Sequence, residues 1–158
     1  MGILNRLFQH MGLKRRSNDP IEINSFIQEV ISGMKPGEDE QHLGIELKLV
    51  ENLPGLDVNR AFLADAISNL IRHSAQETKK KSDAKLTIRT GMEDDDLFIE
   101  FHHNGGGMPL EKLSDFFDPL SPLGIYGLVK DLKAQLFLDS KEGEGAFITI
   151  IFPDIKNH

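Results

Sequence analysis

The chain has 158 residues, 39% hydrophobic and 27% charged, a composition that suits one soluble globular domain large enough to bury a core. The absence of cysteine excludes disulfides, thiol nucleophiles and thiolate metal sites, and suits a reducing cytoplasm. A net charge of −7 argues against a general nucleic-acid binder, and no apolar run approaches the length of a membrane span.

The charge is uneven. Residues 1–16 carry Arg6, Lys14, Arg15 and Arg16 and no acid, so the rest of the chain carries −11 against −7 overall. In the same stretch Ile3, Leu4, Leu7, Phe8 and Met11 recur at helical spacing, which predicts an amphipathic helix over residues 1–13. Lys14, Arg15 and Arg16 follow at its C-terminal end, where cations suit the helix dipole. Three readings stand open: an in-plane anchor on an acidic membrane surface, a docking or dimerising helix, and a helix folded onto its own domain.

A polar linker, residues 17–20, leads to a second amphipathic helix over residues 21–34, with Ile23, Phe26, Ile27, Val30 and Ile31 on one side. Pro36 and Gly37 stop it. Ile45, Leu47 and Leu49 alternate with polar neighbours as a half-buried strand. The central helix is predicted over residues 59–77, with Leu63, Ala66, Ile67, Leu70, Ile71 and Ser74 as its core stripe. Asp65, Asn69 and His73 line an adjacent stripe at i, i+4 and i+8. Lys79, Lys80 and Lys81 follow in a loop that reads as a solvated turn, with phosphate binding as the alternative.

A hairpin of residues 86–89 and 97–102, turning at the acidic residues 93–96, runs into Gly105, Gly106 and Gly107. Glycine there allows positive φ or close approach of another backbone. His102 and His103 are strand neighbours and should point to opposite faces, so they do not form a metal pair, and no third ligand is evident. A short helix over residues 110–117, a turn containing Gly124 and Gly127, a helix over residues 125–134 and strands at 135–140 and 146–152 complete the domain. Residues 154–158 read as a frayed tail.

Three stretches, taken together and in order, resemble the ATP-binding domain of sensor histidine kinases. They are LADAISNLIRHSA (63–75), HNGGGMP (103–109) and the stretch 124–153 ending SKEGEGAFITIIFP. That domain belongs to the superfamily of gyrase, the heat-shock chaperone and mismatch-repair ATPases, and the resemblance spans residues 20–153. It implies an α+β fold, a two-layer sandwich of the Bergerat type in which three helices cover a mixed, mostly antiparallel sheet.

The resemblance also implies a nucleotide pocket at Asn69, His73, His103, Gly105, Gly107, Gly124 and Gly127. In the family, two asparagines stand four apart on the central helix, and the second holds Mg²⁺; the matching residues are Asn69 and His73. An imidazole is a poor substitute for an amide oxygen on so hard an ion. An aspartate that accepts the adenine amino proton is matched by His103, and the lid glycines are matched only loosely by Gly124 and Gly127.

These departures imply a vestigial pocket with no catalytic residue and no bound cofactor, ATP and Mg²⁺ being the alternative if the pocket still works. The expected role is a non-catalytic regulatory or adaptor module, cytoplasmic or peripheral at the inner membrane face. Its partner would be a signalling protein such as a response regulator or sensor kinase, and not a nucleic acid. One alternative is an ATP-binding kinase acting in trans, either like the stand-alone anti-sigma-factor serine kinases of this fold or as a histidine kinase catalytic domain. Another is a membrane-recruited scaffold.

Overall fold

Five stretches in which apolar and polar residues alternate become one sheet: β1 (Gly44–Lys48), β2 (Lys85–Glu93), β3 (Asp96–His103), β4 (Gln135–Lys141) and β5 (Gly145–Phe152). This is a computed structural model, and it describes residues 19–34, 42–106, 129–130, 132–141 and 143–155. The strand order is β1-β2-β3-β5-β4. β1 runs parallel to β2, while β2–β3, β3–β5 and β5–β4 are antiparallel, so the sheet is mixed and mostly antiparallel as expected.

Period-2 patterning sorts the side chains onto two faces. Leu97, Ile99, Phe101 and His103 of β3 are buried together with Ala146, Ile148, Ile150 and Phe152 of β5. Two helices cover this face. α1 (Ile23–Gly33) buries Ile23, Phe26, Ile27 and Val30, and α2 (Arg60–Glu77) buries the stripe Leu63, Ala66, Ile67, Leu70 and Ile71. Side chains cap both N-termini: Glu22 accepts from the Ser25 N–H, and Asn59 accepts from the Phe62 N–H. Phe101 at the sheet centre is fully buried, and truncating such a ring costs about 3–5 kcal/mol.

The elements differ from the sequence reading at their edges. The first described helix begins at Ile23, because Ile21 pairs with Leu56 through two backbone hydrogen bonds of 2.6 and 2.9 Å. The hairpin strands extend inward until only Asp94 and Asp95 remain in the turn, with Asp94 in the left-handed region at φ 55°.

The expected helix over residues 125–134 is described only from Val129. It ends in a Schellman arrangement: Lys133, at φ 56°, donates to Lys130 O, and Ala134 N donates to Val129 O. That left-handed residue stops the helix before Ala134. The described helix layer thus holds two long helices and this helical end, where three full helices were expected.

The start of the tail is not frayed. Asp154 N donates to Asp96 Oδ1 at 3.0 Å and Ile155 N to Asp95 O at 2.9 Å, which ties it to the β2–β3 turn. Among the described residues no helix is long and apolar enough to cross a membrane.

Candidate functional site

The C-terminal end of β3 and the second half of α2 build the site. Asn104 fixes the strand end: its Oδ1 accepts from Lys85 N at 2.8 Å and its Nδ2 donates to Asp83 O at 2.8 Å. Its own N–H donates to Lys85 O, so three bonds hold the glycine turn to the start of β2. Gly105 then passes so close to α2 that a Cβ there would stand 2.5 Å from Glu77 O. Gly145, at φ 93°, passes the His103 carbonyl with equally little room. Glycine is required at both positions for these close approaches.

This packing encloses His103, which is 0% exposed. Its Nδ1 accepts from Gly105 N–H at 3.1 Å, so the proton of the neutral ring resides on Nε2. Burial, helped by neighbouring His102, lowers its pKa from 6.5 to about 4, and the ring is neutral at physiological pH. His103 Nε2 finds no hydrogen-bond partner among the described residues. His73 comes down from α2 to meet it edge to face, with centroids 5.7 Å apart and planes at 66°. Asn69 stands one turn earlier on α2 and is half-buried. Asp65, a further turn back, has its carboxyl raised by burial, with Arg72 opposing.

The fold thus brings His73, His103 and Gly105 together, with Asn69 on the same helix stripe. Gly107, Gly124 and Gly127 lie outside the described residues, as do Ile3, Leu4, Leu7, Phe8, Met11, Lys14, Arg15 and Arg16. His102 faces the other side of the sheet, as expected, and stacks on Phe147 with centroids 3.8 Å apart. Among the described residues no three metal-ligating side chains cluster.

A cleft of about 610 Å³ opens beside the histidines. Gln76, Glu77, Lys79, Lys80, Lys81, Gly105, Gly106 and Gly143 line it. The three side chains expected in a nucleotide pocket, those of Asn69, His73 and His103, do not. The three lysines form no ion pair among the described residues. Lys79, Lys80 and Lys81 are exposed at a turn, as the sequence suggests, and the approach of Gly105 to Glu77 sets that turn on the cleft wall. The only sequence signal for the Asn104 latch is an asparagine directly before a glycine run.

The model of the histidine kinase-, DNA gyrase B- and HSP90-like ATPase family matches residues 58–156. No protein of curated function matches the sequence at a significant level. Among solved structures, the chain is similar to the nucleotide-free catalytic domain of histidine kinase ThkA. The TM-score is 0.71 at 13% identity, covering 89% of this chain and 98% of that one. It is also similar to the Acinetobacter baumannii histidine kinase AdeS, with TM-score 0.69, 18% identity and coverage of 97% and 76%. For the histidine kinase domain of the E. coli osmosensor EnvZ the values are 0.67, 17%, 89% and 91%. At these identities the likeness establishes the fold, and the family match spans well over half the sequence. The chain belongs to the histidine kinase-, DNA gyrase B- and HSP90-like ATPase family.

Proposed function

We propose that this domain is a non-catalytic regulatory or adaptor module that acts in signal transduction through protein–protein contacts. One observation carries the reading. At the position where the resembling kinases accept the adenine amino proton on a carboxylate, His103 holds its only acceptor nitrogen on Gly105 N–H, which leaves a donor at Nε2. A donor facing the adenine amino group forms no bond, and a buried polar edge without its partner discriminates strongly against the ligand. His73, where an amide oxygen would hold Mg²⁺, packs on His103 instead. The residues present therefore do not fit a bound adenine with its metal. The kinase catalytic domains to which the chain is similar support a response regulator or a sensor kinase as the class of partner, met in the cytoplasm.

Thermal unfolding with and without millimolar Mg²⁺–ATP tests this. Ligand at about 100 times its Kd stabilises a native protein by about 2.7 kcal/mol, which is several degrees for a chain of this size. No shift is expected here, and a shift of that size refutes the reading.

A second reading, a kinase acting in trans, is favoured by the lysine-lined cleft of about 610 Å³ beside Gly105 and Gly106. It requires phosphate transfer from ATP to a protein substrate, and that transfer is the measurement that separates the two.

A further inference from the structure

The helices cover one face of the sheet, and the opposite face presents an aromatic ridge. Phe137 of β4 and Phe147 of β5 are 56% and 39% exposed on it. His102 of β3 stacks on Phe147, and half-buried Phe98 and Ile151 stand opposite each other where β3 pairs with β5. The ridge crosses three adjacent strands. An apolar patch of this kind on an otherwise charged surface marks a contact site.

We propose that residues 1–16 of the same chain occupy this face. Three observations select that occupant. The first is where the described chain begins. Asp19 O accepts from Arg60 Nη2 at 3.2 Å, and Pro20 shares a groove of about 440 Å³ with Phe152, Pro153 and Ile155 at one end of the sheet.

The second is charge. That same end carries the β2–β3 turn, four consecutive carboxylates from Glu93 to Asp96, held there by Ile155 N–H on Asp95 O. Lys14, Arg15 and Arg16 precede Asp19 by three to five residues, a chain length that spans roughly 10–18 Å when extended. The basic run is therefore within reach of the acidic turn.

The third is shape. The apolar stripe of Leu4, Leu7, Phe8 and Met11 belongs to a thirteen-residue helical pattern about 20 Å long. The ridge measures about 13 Å along β3 from Phe98 to His102 and about 10 Å across three strands. With the basic run on the acidic turn, the apolar stripe lies along the ridge. A partner that binds this face must displace the segment first.

Because the sequence has no cysteine, engineered pairs report cleanly in the full chain. Leu7→Cys combined with Phe137→Cys is expected to form an intramolecular disulfide on mild oxidation. The yield should exceed severalfold that of Leu7→Cys combined with Gln28→Cys, whose second site is exposed on α1. Arg15→Glu with Arg16→Glu should lower it. Equal yields for the two pairs, or disulfides mainly between chains, overturn the proposal.

Amide NMR shifts of the otherwise native chain give a second readout. Leu4→Glu with Leu7→Glu is expected to move Phe137, Phe147 and Thr149. Changes confined to residues 1–16 overturn the proposal, as does binding to anionic phospholipid vesicles that these substitutions abolish while the sheet amides stay unmoved.

Discussion

His73 and His103 close on each other: their rings meet edge to face at 5.7 Å across the gap between α2 and the end of β3. They are the residues that the resemblance matches to the metal and adenine positions, and each ring fills space beside the other. His103 is further committed through the Gly105 N–H, which fixes its tautomer. On the proposed reading, the two replacements are therefore coupled rather than independent.

This arrangement makes stability depend on pH. The folded-state pKa of His103 is about 4 against an ordinary 6.5, so between these values the unfolded chain binds a proton that the folded chain refuses. Its contribution is complete above about pH 6.5 and is lost as pH falls toward 4; at pH 5 the loss is about 2 kcal/mol. His102, also lowered by burial, acts in the same direction. Urea unfolding near neutrality and near pH 5 should show the loss, and His103→Phe should remove most of the difference. An equal pH dependence in the variant contradicts the assignment.

Restoring the acid alone should not restore nucleotide binding. His103→Asp places a carboxylate in a fully enclosed position beside His73, which still stands where the family has an amide, and the Gly105 N–H then competes for the new acceptor. The variant is expected to be less stable than the parent and to bind no ATP at micromolar concentration. Micromolar binding by this single variant contradicts the prediction.

Gly105→Ala should destabilise the domain by roughly 1–3 kcal/mol, because the new methyl meets the Glu77 carbonyl, a backbone group that cannot swing away. Gly145→Ala should cost more, since it adds a left-handed φ of 93° to a similar clash with the His103 carbonyl. Gly106→Ala meets nothing within 4 Å and serves as the control. Chemical denaturation of the three variants gives the order directly.

Most of the fold is legible in the sequence because its signals are local. The apolar stripe of α2 and the alternation along β3 and β5 need no tertiary knowledge. The order of elements, with its helix, glycine turn and closing strand, suffices to indicate the family. The misses are tertiary: Ile21 leaves its helical pattern to pair with Leu56, and Ile155 is held by Asp95, partners far away in sequence. For the candidate site the sequence offers positions and no geometry. That His103 turns its acceptor to Gly105 and its edge to His73 depends on the glycine packing against α2, which composition and spacing do not encode.

Asn104→Ala removes both side-chain bonds of the latch and leaves Lys85 N and Asp83 O without that partner, a loss of about 1–2 kcal/mol. Asn104→Asp keeps the acceptor for Lys85 N but turns a second carboxylate oxygen onto the Asp83 carbonyl, and should lose at least as much. Chemical denaturation checks both, and full stability in either variant would contradict the latch.

The proposed function stands or falls on whether the pocket accepts nucleotide. Calorimetric titration of the folded chain with ATP and ADP, with and without Mg²⁺, decides it. No binding heat is expected at millimolar ligand in any of the four titrations. Saturable, Mg²⁺-dependent heat would contradict it and would make His73 and His103 working members of a nucleotide site.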